Sequence, residues 1–342
     1  MASARIAGAL ALAILCAATP RAFIPVEVLK ASGALPAHIT GAFESPRSFQ
    51  QTDAGQYVVF DRRGHAVYAV VNDAPKKIVE VGSEPGKILD PSAFDMDPND
   101  GTFVVADAPL QQERIQIFTS AGSRMSGFTL PGRAEPRITF DTFVLNGVGS
   151  IQFTGDTLLL NQPERGALIT EMRLDGTPIR TFGTLRPSGQ ESDRNVHLAF
   201  NSGFPLADPT GGFYFVFAAG PPIFRKYDAK GRMVFERHIE GPEIDEYLRT
   251  LPTTWARKNV PGSGSIPLVN PEIRAAAVDR TGRLWVSLVQ PVTYVYDSSG
   301  DKIRAVQFSA VGGVIAPNSL FFTKDGRILV TPGCFEFRIP NL

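Results

Sequence analysis

The feature that most constrains this chain is a recurring glycine. Gly55, Gly101, Gly155, Gly212, Gly282 and Gly326 each precede a short run rich in β-branched or aromatic residues: QYVVFD, TFVVAD, DTLLLN, FYFVFA, RLWVSL and RILVT. The intervals are 46, 54, 57, 70 and 44 residues. The unit is clearest between Pro91 and Leu130, where Ser92–Met96, Thr102–Ala106, Arg114–Thr119 and Met125–Leu130 alternate with turn-forming PNDG, APLQQE and SAGS. Four short strands with hairpin-sized connections predict an antiparallel meander. A single such sheet has no means of covering both faces, so the copies must pack against one another.

A period of this length, with almost no helical periodicity, predicts an all-β chain: a six-bladed β-propeller of four-stranded antiparallel blades. The last unit runs through Ser319–Thr323, Arg327–Thr331 and Cys334–Ile339 and then stops, one strand short. The expectation is that an N-terminal strand, Pro36–Phe43 (PAHITGAF), completes the last blade and closes the ring, because long unpaired sheet edges are avoided. Residues 36–342 are then one domain, preceded by a signal peptide over 1–22 and a linker over 23–35.

Met1–Ala22 carries Arg5, an apolar run from Ile6 to Ala18 and small residues before Pro20. That is the pattern of a cleaved secretory signal, and its apolar run is short for a membrane span. The expected location is exported, periplasmic or extracellular. Leu15 before Cys16 makes a poor lipidation signal. Cleavage leaves Cys334 as the one cysteine, read as a packed hydrophobe. Lys plus Arg and Asp plus Glu are balanced at 34 each, which supplies no net field for nucleic acid. A monomer is expected, with a protein or a small polar molecule as its partner.

The second unit, AFDMDPNDGTFVVAD…ERIQIFTSAGSRMSGF, resembles an NHL repeat in its D-x-x-G turn, V-x-V-x-D strand and R-I-x-x-F strand. VGSEPGKILDP before it is similar to the linkers of bacterial six-bladed NHL-like propellers. The resemblance implies a binding platform more often than an enzyme.

Excess length falls at 131–149, 184–203 and 240–274, all connections between units and all on one face of the ring, the usual place for binding loops. The 240–274 insertion predicts a short amphipathic helix from Ile244, Tyr247, Leu248 and Leu251, ended by Pro252. It either presents Tyr247, Trp255 and Arg257 to a ligand as a lid or buries its aromatics on the propeller. VPGSGSIP reads as a hinge or loop. Arg47, Asp90, Asn146, Asn195, His197, Glu272, Arg274 and Asn318 fall at the starts of the innermost strands and are expected to ring the channel mouth, for a polar ligand or a cation.

The alternative is chemical. FESPRSF with Glu44 and APNSLFF with Asn318 are similar to the E-G-P and P-N-G segments of gluconolactonase and regucalcin-like hydrolases. That resemblance implies a divalent cation such as calcium at Glu44 and Asn318, acting on a lactone or ester. Ser45 and Ser319 stand where those families carry glycine. No cofactor is expected on the binding reading. Four histidines are too scattered for a zinc site, DMDPNDG reads as a hairpin turn rather than a calcium loop, and nucleophile motifs are lacking.

Overall fold

The structure is a computed structural model and describes residues 24–134, 136–140, 143–260 and 264–339. The expected signal peptide lies outside the described residues. Four four-stranded antiparallel meanders occupy 46–79, 93–133, 151–184 and 203–238. Two further meanders, 273–310 and 319–338, merge into one nine-stranded sheet. The innermost strands are Pro46–Gln51, Ala93–Met96, Ile151–Phe153, Gly203–Ala207, Ile273–Val278 and Ser319–Phe322. Each packs beside the next, and Ser319–Phe322 also packs beside Pro46–Gln51, so the circuit closes. This is a β-propeller arrangement.

The strand that joins the ends is not the one expected. Pro36–Phe43 contains a single helical turn, α1 (Ala37–Thr40), and the strand is Val26–Ala34, within the stretch read as a linker. Its first half pairs in parallel with Ala305–Ser309 and its second half antiparallel with Phe335–Phe337, with a register shift between Ala31 and Gly33 inside the second half. It therefore fills the missing fourth place of the last meander while also stitching that meander to its neighbour. Leu29 is buried, and Arg304 donates to both carboxylate oxygens of Glu27 at 2.9 and 2.5 Å. The alternating VEVLKASGA pattern suits a strand with one covered face, whereas Pro36 ends it and starts a turn.

Second strands such as Phe103–Asp107 and Leu284–Leu288 are buried along their whole length, because both of their faces meet a neighbouring sheet. The turns follow one device: Asp97, Asp175, Asp228, Asp279 and Asp297 each accept, through the side chain, the backbone N–H two residues on. DMDPNDG is thus a turn, as read. Gly122, Gly176, Gly231 and Gly300 sit against Ile78, Phe128, Phe182 and Phe235 of the preceding sheet. At Gly176, with φ at 87°, a Cβ would lie 2.5 Å from the Phe128 ring, so glycine there is a requirement of blade packing. Cys334 is a fully buried part of the core, with burial pushing its thiol up to about 12. No helix among the described residues is long and apolar enough to cross a membrane.

Candidate functional site: a capped central channel

The three long connections fold onto one another. The first forms a hairpin, Pro136–Phe140 with Phe143–Asn146; the second carries α2 (Arg194–Phe200); the third carries α3 (Asp245–Leu248) and a second hairpin, Arg257–Val260 with Gly264–Pro267. Of VPGSGSIP, read as a hinge or loop, Val260 and Gly264–Pro267 are strand residues of this hairpin, and 261–263 lie outside the described residues. Leu145, Val196, Ala199, Phe200, Ala218 and Val269 share one apolar cluster. The Thr139 N–H donates to the Val269 carbonyl at 2.7 Å, and Arg257 donates to Asp193, the N-cap of α2, at 2.6 Å. A cap held by its own core and by bonds between all three insertions is a fixed roof, not three separate loops.

This cap accounts for several residues expected at the channel. Trp255 packs edge-on against Phe200 with ring centroids 5.4 Å apart. Arg257 is engaged with Asp193 and the Ser265 carbonyl on the exposed side of the cap. The Nδ1 of His197 bonds Ser188 at 2.7 Å within the second insertion. Glu272 is buried beneath the cap, where it accepts the Tyr247 hydroxyl at 3.0 Å; burial outweighs that bond and lifts its carboxyl to about 7. The helix is one turn rather than two, with Ile244 fully buried and Leu248 packed against the core, so it serves as a wedge. Asp90 lies apart, mostly exposed, 3.7 Å from His65. Asn146 ends the first cap hairpin.

Below the cap is a cavity of 530 Å³, walled by all the innermost strands and roofed by Ile138 and Leu145. Arg47, Arg274 and Asn318 are on its wall, as their places at strand starts suggested. Arg274 donates to the side-chain amide oxygen of Asn318 at 3.1 Å. The Arg274 Nε and the Gln50 Oε1 are buried and have no hydrogen-bond partner among the described residues. Arg62, Gln50 and Asp95 also line the cavity and were not singled out from sequence. Arg62 follows directly on a second strand, and Gln50 and Asp95 lie inside first strands, so strand register was the signal that could have found them. Burial, with Arg47 and Arg63 nearby, lowers Arg62 to about 9. Asp95 accepts from Gln50 Nε2 at 3.0 Å and from the Phe153 N–H at 2.8 Å, and burial deep in the channel still raises it to about 6.

The expected metal pair is not brought together on this wall. Asn318 is in the cavity, but its amide oxygen is occupied by the Arg274 guanidinium; Glu44 is exposed and outside the lining, with its backbone N–H bonded to Asp61. A cation at Asn318 would sit against a guanidinium, which opposes it electrostatically. No group of three or more His, Cys, Asp and Glu residues suited to a metal occurs among the described residues.

No protein-family model matches the chain, and no curated protein does. Solved structures do. The PQQ-bound aldose sugar dehydrogenase of Streptomyces coelicolor is 12% identical with a TM-score of 0.50, covering 90% of this chain and 98% of that one. The WD40 β-propeller domain of Doa1 is 11% identical with a TM-score of 0.48, covering 91% and 98%, and a gluconolactonase of Xanthomonas campestris is 14% identical with a TM-score of 0.46, covering 93% and 98%. The likeness is one of fold. A fold alone does not fix a function, so function has to come from the site.

Proposed function

We propose that this chain is an exported six-bladed propeller of NHL-like repeats that binds a small polar ligand in its central channel, under the cap made by its three inter-blade insertions. The observation that carries the reading is the cavity itself. Its 530 Å³ falls within the range of small-molecule sites, and its wall combines apolar side chains such as Phe60, Phe94 and Leu145 with polar ones such as Arg47, Arg274 and Asn318. The circuit of innermost strands supports the count of blades, with the last completed by Val26–Ala34. Rigid strands rather than mobile loops hold most of the lining, which lowers the ordering cost of binding.

A ligand that binds only the folded state raises its melting temperature. The experiment is a thermal-shift screen of the mature chain against a library of small polar metabolites. Concentration-dependent stabilisation by one chemical series is the expected result; a library that shifts nothing contradicts a small-ligand channel and leaves the outer face as the working surface. Intact mass of the secreted chain tests export, since removal of residues 1–22 is expected.

A further inference from the structure

Given the channel as the binding site, we infer that its cap-side end takes the oxyanion of a small organic acid, either a carboxylate or a phosphate monoester, with the rest of the molecule lying along the apolar wall. Arg47, Arg62 and Arg274 all line this one cavity. Arg47 and Arg274 come from the starts of their strands, and Arg62 from just beyond a second strand that ends at the same side. The carboxylates on the wall belong to the other half of the channel. Asp279 follows the end of Ile273–Val278 and is engaged by Arg283, Thr281 and Trp285 at 2.8 to 3.0 Å. Asp95 is tied to Gln50 and Phe153. Three guanidinium groups therefore share the cap-side end, whereas at the far end Arg280 stands next to Asp279 and is engaged by Asp53 at 3.3 Å.

Arg274 is the residue that addresses a ligand. One of its nitrogens is fixed by Asn318 at 3.1 Å, which orients the planar fork, while its buried Nε has no acceptor among the described residues. A carboxylate or phosphate offers oxygens at the spacing of that fork, and such charge-assisted pairs are short and strong in a site sheltered from water. The wall around Phe60, Phe94 and Leu145 suits a hydrocarbon or aromatic body.

The test uses calorimetric titration of the full mature chain with benzoate and phenyl phosphate, and with their neutral counterparts benzamide and benzyl alcohol, at matched ionic strength. The expected result is that the anions bind and the neutral compounds bind at least about tenfold more weakly, that Arg274→Ala abolishes most of this preference, and that Arg274→Lys restores part of it. Preference for benzoate identifies a carboxylate ligand, and preference for phenyl phosphate a phosphate monoester; either supports the inference. Neutral compounds binding as well as the anions, with Arg274→Ala silent, would overturn the oxyanion while leaving the channel as a binding site. Failure of every probe, anionic and neutral, would overturn both. Melting temperatures of the two variants without ligand confirm that they fold.

Discussion

The guanidinium of Arg114 grips both carboxylate oxygens of Asp107, at 2.9 and 2.6 Å, and reaches on to the carbonyls of Ser83 and Lys87 in the preceding connection. The aspartate ends a second strand, the arginine lies near the start of the third strand of the same sheet, and the connection leads in from the neighbouring blade. These are the D and R of the most regular repeat, so the signature marks a structural clamp. Its side chains are buried or nearly so.

Arg114→Ala should therefore leave a buried carboxylate without its partner and destabilise the fold by about 3–5 kcal/mol. Chemical denaturation measures this. Ligand affinity at the channel should be unchanged in the folded variant, because Arg114 is not on the cavity wall.

Closure by Val26–Ala34 makes a second expectation. Leu29 is buried in a cluster with Trp285, Val306 and Phe337, drawn from both meanders that the strand joins. Leu29→Ala is expected to cost about 2–5 kcal/mol, as a core truncation does, despite its position close to the start of the described chain. If the strand were a dispensable arm, equilibrium unfolding would show no change.

Glu272 gives a pH dependence with a definite sign. Its carboxyl is raised from 4.5 to about 7 in the folded protein, first by burial, so between those values the folded chain holds a proton that the unfolded chain has released. Stability must fall as pH rises through that window. Asp95, raised to about 6, adds to the fall at its lower end, so Glu272→Gln should flatten mainly the stretch between about pH 6 and 7. Melting temperatures of the two proteins across this range would show it; parallel curves would contradict it.

The repeats were legible because each turn has a local cause. Gly101 and its counterparts need a left-handed backbone, and the aspartates before them bond two residues on, so both leave a mark in sequence. Closure was legible as a need but not as a segment. Val26–Ala34 pairs with residues nearly 300 positions away, partly in parallel, and its alternating pattern, though suited to a strand, does not say which edges it joins. At the site, Arg47, Arg274 and Asn318 could be read from their places at strand starts. Trp255, Arg257, His197 and Glu272 could not, because the insertions turned toward one another and absorbed those residues into the cap. Arg62, Gln50 and Asp95 were hidden for the opposite reason: they sit within or just beyond strands whose inward register only the closed ring defines.

The most direct test of the central claim is to fill the channel. Ala277 lines the cavity from the Ile273–Val278 strand and is half-buried, so Ala277→Trp puts a large ring into the space a ligand would use. Calorimetric titration of the best compound from the thermal-shift screen into wild type, Ala277→Trp and Leu110→Asp, an exposed site outside the cavity, decides the matter. The expected result is loss of at least about tenfold in affinity for Ala277→Trp alone, corresponding to about 1.4 kcal/mol. Equal affinity in all three proteins would place the ligand elsewhere and contradict the account.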